Sequence, residues 1–175
     1  NLVGQENMGW TYAKKLLEAE RSFSANIPRC RVGLDRLRDI AATVRLRGEP
    51  LIEDAAFATR IAQLEIDFLA HETTVWRVVE EEESGRASAV PTSSILKVRG
   101  GELLQAINQL SIEALGDHAI PVYPEADYLG EMPADAPGPD YAPGMMSEHM
   151  YRRAITIYGG SNEIQRNIIA GMLLR

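Results

Sequence analysis

The sequence YGGSNEIQRNIIAGMLLR, residues 158–175, is a glycine turn that leads into a helix with a good N-cap. Gly159 and Gly160 allow the backbone positive φ angles or a close approach to another group. Ser161 is the predicted cap, and Glu163 places negative charge in the first helical turn, where the macrodipole favours it. Unpaired N–H groups at such a helix start can bind an anionic or polar ligand. An ordinary capped C-terminal helix explains the same residues.

Apolar residues with helical spacing predict the packing of this last helix and of four helices before it. In the last helix the apolar stripe consists of Ile164, Ile168 and Leu173. The earlier helices are predicted over about residues 6–27, 32–44, 53–84 and 92–115. Their boundaries fall at helix-breaking residues, namely Pro28, the segment 47–50, Gly85 and Gly116.

The fourth predicted helix and the segment after it have unusual compositions. Thr92 or Ser93 is its predicted cap, and the pair Gly100-Gly101 inside it predicts close helix packing or a kink. Residues 121–144 contain six prolines and five acids with no Lys or Arg, which predicts an extended loop. Together these elements predict an all-α, up-and-down, four-helix-bundle-like domain whose final helix packs after a long loop.

Size and composition narrow the class of protein. The 175 residues fit one domain, and the net charge of −7 disfavours nucleic acid or an anionic membrane as partner. Cys30 is the single cysteine, and the three histidines lack the spacing of metal ligands. No apolar run approaches the ~20 residues that span a bilayer, and no signal-peptide pattern is present. We therefore expect a cytoplasmic protein without a metal site or membrane span and, since the chain begins at Asn1, a fragment or excised domain.

The helical pattern indicates Glu20 as a candidate catalytic residue. It falls on the apolar face of the first predicted helix, three and four residues after Leu17 and Leu16. An unpaired carboxylate is costly to bury, and desolvation raises the pKa of such a group. A raised pKa suits a general base that takes up a proton near neutral pH. A core-edge carboxylate that pairs with Arg21 or with a neighbouring helix accounts for the same position.

Three segments resemble the acyl-CoA dehydrogenase family in order and spacing. The string GGSNEIQRNIIA, residues 159–170, resembles the family's closing signature, where the chain turns past the flavin and starts the last helix. Residues 1–10, NLVGQENMGW, resemble the hinge from the middle β-domain, and residues 17–21, LEAER, match the first bundle helix. The resemblance implies that residues 1–175 are the C-terminal helical bundle domain of that fold, without its N-terminal helical and middle β-domains.

The resemblance also implies an FAD-dependent enzyme that converts an acyl-CoA thioester to a trans-2-enoyl-CoA. In many members the base that removes the α-proton sits in the turn, at the position aligned with Gly159, and a glycine cannot serve. In isovaleryl-type and long-chain-type members the base precedes an arginine on the first bundle helix, as Glu20 precedes Arg21. By the same resemblance Arg21 contacts substrate or braces Glu20. The residues implied to line the flavin site are Gly160, Ser161, Asn162 and Glu163.

Two segments depart from the family pattern and leave other interpretations open. Residues 45–50 read RLRGEP where the family often has Arg-x-x-Phe-Gly, and residues 113–117 read EALGD where it has Gln-x-x-Gly-Gly. Both segments touch a neighbouring subunit's FAD in the family, so we expect a homo- or hetero-oligomer, either a dimer or a tetramer. Heteromeric bacterial members show such divergence, and a non-catalytic partner subunit is one alternative. An acyl-CoA oxidase-like flavoenzyme is another, which differs from the dehydrogenase in whether an electron-transfer flavoprotein or another acceptor reoxidises the flavin.

Overall fold

The computed structural model describes residues 2–23, 25–85, 91–121 and 138–174, and the side chains of residues 17–23 and of Glu82 lie outside that description. The described residues form six α-helices, which are α1 Gly9–Phe23, α2 Ile27–Thr43, α3 Ala55–Glu83, α4 Thr92–Leu115, α5 Met145–Arg152 and α6 Asn162–Leu173. An antiparallel hairpin of β1 Arg45–Leu46 and β2 Glu49–Pro50 joins α2 to α3. Short 3-10 turns cover Leu51–Glu53, Gly116–Ala119 and Arg153–Thr156.

Ion pairs along the helices fix the direction of α3 against its neighbours. Arg38 of α2 pairs with Glu65 of α3 at 2.5 Å, and the earlier Arg31 pairs with the later Glu72, so these two helices are antiparallel. Arg60 near the start of α3 pairs with Glu113 near the end of α4 at 2.6 Å, so α3 is also antiparallel to α4. Helix α4 is central, because α1, α2, α3, α5 and α6 all contact it. The all-α bundle prediction is confirmed.

The core consists of two apolar clusters along the central helix. The first cluster surrounds the later half of α2 and the end of α4, with residues such as Leu37, Ile40, Phe57, Leu110 and Met145. The second surrounds the earlier half of α2 and the middle of α4, with residues such as Cys30, Leu34, Phe68, Leu104 and Ile107. Among the helices described, none is long and apolar enough to cross a bilayer.

Gly100 confirms the prediction of close helix packing. A Cβ at this position would lie 2.3 Å from the carbonyl oxygen of Ala25 and 3.0 Å from the Nε2 of His71. The same Ala25 oxygen accepts a hydrogen bond from Nε2 of His71 at 2.8 Å. The absence of a side chain therefore lets the connection between α1 and α2 rest on α4, and α4 remains one helix through this point.

The boundary between the first two helices differs from the sequence prediction. Helix α1 ends at Phe23, and α2 begins at Ile27 after Asn26, whose φ of +57° turns the chain. Pro28 lies in the first turn of α2 and does not kink a helix, since that turn needs no N–H donor. The sequence predicted one helix that ends at about residue 27 and a second that begins at about residue 32. This prediction was wrong, because Pro28 lies inside the second helix.

Other boundaries follow the sequence with two exceptions, the cap of α4 and the helix α5. Helices α3 and α4 match their predicted ranges, and Gly85 and Gly116 have positive φ angles after them. The residue that caps α4 is Pro91, so the prediction of Thr92 or Ser93 was wrong. Helix α5 was not predicted, because its eight residues are too few for a clear periodic pattern. Most of the predicted loop, residues 122–137, lies outside the described residues.

The last helix packs through a face that the apolar stripe did not predict. Asn162 and Gln165 are buried, whereas Ile164 and Leu173 are 52% and 55% exposed. The reason is that the first turn of α6 lies against polar side chains of α4, which the following subsection describes. Ile164 and Leu173 of the stripe therefore face away from the bundle, whereas Ile168 is half-buried.

Candidate functional site

The turn at residues 158–161 needs both of its glycines. Gly159 and Gly160 have φ angles of +66° and +87°, which side chains rarely adopt. A Cβ at Gly160 would lie 2.6 Å from the Nε2 of Gln165, whereas a Cβ at Gly159 would meet no heavy atom within 4 Å. The outer side of Gly159 thus faces open space, where a ligand can approach the backbone.

Ser161 is the N-cap of α6, as predicted, and the charged Glu163 lies beside it. Its Oγ accepts a hydrogen bond from the N–H of Ile164 at 3.4 Å, which confirms the cap. The Glu163 carboxylate is exposed beside it. Its own backbone N–H and the Ser161 hydroxyl lower the pKa of Glu163, with smaller contributions from Arg166 and Lys97. The helix start therefore carries an ionised carboxylate at neutral pH.

Asn162 faces the bundle rather than the exterior. It is 4% exposed, and its Oδ1 accepts a hydrogen bond from the Nζ of Lys97 at 3.0 Å. Lys97 is 2% exposed and lies in the second turn of α4, the bundle's central helix. Burial lowers the pKa of the Lys97 ammonium, and the nearby Glu163 charge acts in the opposite direction. A buried cation is thus joined directly to the predicted cofactor segment.

Gln165 fixes the turn from the other side. Its Nε2 donates to the carbonyl oxygen of Gly159 at 2.9 Å, and the side chain is 1% exposed. Its Oε1 has no hydrogen-bond partner among the described residues, nor has the Oγ of Ser94, which lies one turn before Lys97 on α4. The contact between α4 and α6 thus includes the polar pair of Lys97 and Asn162, and the Oε1 of Gln165 beside it is unsatisfied among the described residues.

Apolar side chains are exposed around the turn, beside the charged Glu163. Ile157, Tyr158 and Ile164 are 69%, 45% and 52% exposed. The turn therefore offers a ligand an open backbone at Gly159, a capped helix start and apolar contact. These groups suit a ligand that has both polar and apolar parts.

The structure places Glu20 and Arg21 only by their backbone. Both belong to α1, Gly9–Phe23, and their side chains lie outside the described residues. Their assignments as base and substrate contact therefore stay predictions. Leu16, predicted on the same face as Glu20, is 62% exposed, and the main contact of α1 among the described residues is with α4.

Two buried polar residues of the site were not identified from the sequence. Gln165 lies within the string 159–170 that resembles the family's closing signature but was not singled out there, and Lys97 belongs to no motif found in the sequence. The available signal was periodicity: Ser94, Lys97 and Gly101 recur at helical spacing, and a lone lysine on an inward face is unusual. Gly160, Ser161, Asn162 and Glu163 are consecutive, and Asn162 is turned toward α4. Their assignment as flavin contacts stays a prediction.

Comparison with known proteins identifies the family. Residues 7–174 match the family described as "Acyl-CoA dehydrogenase, C-terminal domain", so the chain belongs to the acyl-CoA dehydrogenase family. It is 27% identical over 179 residues to the mitochondrial short-chain specific acyl-CoA dehydrogenase of Sus scrofa. That alignment covers 100% of this chain and 38% of the relative, so the chain spans well under half the length of the curated relatives it matches.

Solved structures support the same fold. Butyryl-CoA dehydrogenase from Megasphaera elsdenii has a TM-score of 0.75 and 18% identity, over 100% of this chain and 41% of that one. The FAD complex of PigA has a TM-score of 0.75 and 17% identity, over 98% of this chain and 40% of that one. At identities this low, the structural likeness shows the fold alone. The PigA complex is an example of a protein of this fold that binds FAD.

Proposed function

We propose that this chain forms the C-terminal part of an FAD-dependent acyl-CoA dehydrogenase. The reaction is the α,β-desaturation of an acyl-CoA thioester to a trans-2-enoyl-CoA. The observation that carries the proposal is the turn at Gly159-Gly160, with its capped helix start and exposed apolar surroundings. Family membership supports the chemistry, and the names of the relatives support a coenzyme A thioester as substrate class.

The turn has the groups that a bound flavin needs. Gly160, Ser161 and Glu163 present backbone and side-chain polar atoms at the start of α6, and Ile157 and Tyr158 supply apolar contact. When bound, FAD supplies the acceptor for the hydride that leaves Cβ of the substrate. The part of the protein is to orient both molecules and to keep water away from the reacting atoms.

Glu20 is the proposed base, and its task is to hold the α-proton of the substrate on its carboxylate. Gly159 has no side chain for this task, so the carboxylate must come from another element, and α1 offers one next to Arg21. Arg21 contacts the substrate or braces Glu20. The α-proton of a thioester is weakly acidic, so positioned hydrogen-bond donors must stabilise the developing oxyanion.

Substitution of Glu20 by Gln in the full-length gene product tests the base. We expect turnover of acyl-CoA to fall at least ~10²-fold, because a general base typically accelerates a reaction by a factor of about 10² to 10⁴. Bound flavin, measured by its absorbance, should stay at the wild-type level. Glu18→Gln on the same helix is the matched control and should retain turnover. Full turnover by the Glu20→Gln enzyme with flavin bound would reject this assignment.

A non-catalytic partner subunit is the second candidate function, and the hairpin favours it. The segment 45–50 that departs from the family pattern forms a tight β-turn with Arg47 at φ +54° and Gly48 at φ +93°. The segment contains Arg45 and Arg47 and no phenylalanine. A homo-oligomer with one FAD per chain and measurable turnover would exclude this candidate. A complex with a second, catalytically active chain would favour it.

Oligomer formation and the electron acceptor belong to the same proposal. Large apolar side chains are exposed on α1 and α3, among them Trp10, Leu16, Leu69 and Trp76. Single exposed apolar residues are normal on a protein surface, but these are too many to be explained in that way. Exposed apolar patches mark sites of contact with another protein. An electron-transfer flavoprotein is the proposed acceptor. Hydrogen peroxide formed in stoichiometric amounts during turnover in air would instead indicate an oxidase.

A further inference from the structure

Lys97 is a costly residue at its position in the fold. It is 2% exposed, and among the described residues no carboxylate lies within ion-pair distance of its Nζ. Desolvation of an ammonium is unfavourable, and an apolar side chain of similar length would avoid it. We therefore expect the buried Lys97 ammonium to have a local task that an apolar side chain cannot perform.

The helix that Lys97 contacts adds to this cost. Asn162 is the first residue of α6, so Lys97 Nζ lies near the N-terminal end of that helix. The macrodipole places partial positive charge there, which disfavours a cation. The exposed Glu163 carboxylate offsets part of the repulsion. Burial and the helix dipole both disfavour a charged side chain at this position. The direct favourable contact of the ammonium among the described residues is its hydrogen bond to Asn162.

The geometry links this hydrogen bond to the turn. Asn162 directly follows Ser161, the residue that ends the turn and caps α6. On the same face, Gln165 donates to the carbonyl oxygen of Gly159. The turn is thus tied at its start through Gln165 and at its end through Asn162. The second tie reaches the central helix α4 through Lys97, and the ion pair of Arg166 with Glu102 joins the same two helices one turn later.

We propose that Lys97 is a positioning residue that, through Asn162, holds the Gly159–Ser161 turn in the conformation that binds FAD. The proposal rests on the proposed function, because it assigns the ligand of the turn. Two glycines with positive φ give the turn many alternative conformations. A ligand binds more weakly in proportion to the fraction of protein that is in the competent conformation. Lys97 acts by keeping that fraction high.

A double-mutant cycle in the full-length gene product tests the route through Asn162. The variants are Lys97→Met, Asn162→Leu and the combination, with Gln109→Met on the exposed face of α4 as control. We expect Lys97→Met to weaken FAD binding about tenfold in a flavin-fluorescence titration. The combined variant should bind FAD no more weakly than Asn162→Leu alone. Additive losses, or unchanged affinity in Lys97→Met, would overturn the proposal.

Amide hydrogen exchange separates positioning from a general loss of stability. In the protein without flavin, Lys97→Met should accelerate exchange at residues 159–165 and leave the α2–α3 contact at the wild-type rate. If that variant does not fold, the combined variant serves, since loss of both polar partners leaves neither of them unsatisfied. Uniform acceleration throughout the chain would overturn the proposal. A wild-type protein that binds no FAD would reject the proposed function, and the exchange rates would still decide whether Lys97 orders the turn.

Discussion

Helix α4 makes opposite kinds of contact with two of its neighbours, α2 and α6. Toward α2, Leu104 and Ile107 pack among apolar side chains with 1% exposure each. Toward α6, Lys97 donates a hydrogen bond to Asn162, and these two residues are 2% and 4% exposed. The contact with α2, the apolar side, buries apolar surface and stabilises the bundle. The contact with α6, the polar side, should add less to stability and should fix the geometry of one turn.

This difference separates the part of the domain that determines the fold from the part that determines the site. Apolar packing is non-directional, so it tolerates small displacements, whereas a hydrogen bond specifies the position of two atoms. Substitutions on the α2 side should therefore change the free energy of unfolding most. Those on the α6 side should change the local geometry of the turn, with smaller effects on global stability.

The largest effect is expected from Leu104→Ala. Removal of a buried leucine leaves a cavity in the second apolar cluster and should reduce the free energy of unfolding by about 2 to 5 kcal/mol. Urea unfolding followed by circular dichroism measures the change. Ile66→Ala on the exposed side of α3 is the control, because Ile66 is 62% exposed. Equal losses in the two variants would contradict the apolar side as the source of stability.

The next effect is expected from Gly100→Ala. The added Cβ would lie 2.3 Å from the carbonyl oxygen of Ala25, and the backbone must shift to relieve the overlap. We expect a loss of about 1 to 3 kcal/mol in the free energy of unfolding. Gly171→Ala in α6 meets no atom within 4 Å and should instead gain up to ~1 kcal/mol from helix propensity. A gain in both variants would show that the α4 contact is looser than this packing indicates.

A smaller effect is expected at the polar side from Ser161→Ala. Loss of the cap should cost about 1 kcal/mol, and it should appear mainly as faster hydrogen exchange in the first turn of α6. Ser161→Asp retains a capping oxygen and should keep the wild-type exchange rates. A loss spread evenly over α2 and α3 would indicate that the polar side stabilises the whole bundle.

The smallest effect is a pH dependence from His71, the polar group beside the apolar contact. Desolvation lowers the pKa of His71 in the folded state, more strongly than its hydrogen bond to Ala25 raises it. The unfolded chain then binds the proton more readily, so stability is complete above pH ~6.5 and falls as the pH drops below that value. His71→Gln should flatten this part of the stability profile. His149, whose pKa burial also lowers, acts in the same direction, so His149→Gln is the comparison variant.

The apolar side of α4 was predictable from the sequence because burial follows periodicity. Leu103, Ile107 and Leu110 recur at helical spacing within the predicted helix 92–115, and each is buried. Gly100 was also predicted as a point of close packing, since a glycine inside a helix costs stability without a compensating contact. These features depend on local spacing, which one sequence contains in full.

The polar side was less predictable for physical reasons. A stripe such as Ile164 and Leu173 indicates that a helix has an apolar face, yet it does not say which element covers that face. Similarly, a lysine in a helix is solvated in most proteins, so Lys97 gave no indication of its partner Asn162. The residues of the motif 160–163 were identified by resemblance. Their separation into outward-facing Glu163 and inward-facing Asn162 depends on tertiary contacts.

Because α4 makes an apolar contact with α2 and a polar contact with α6, temperature should act on the two contacts differently. Apolar burial gives unfolding a positive heat capacity, and exposure of polar surface gives a negative one. Cooling therefore weakens the contact with α2 more than the polar contact with α6. A cold-adapted variant of this domain would need changes in the bundle core, and its glycine turn could stay as it is.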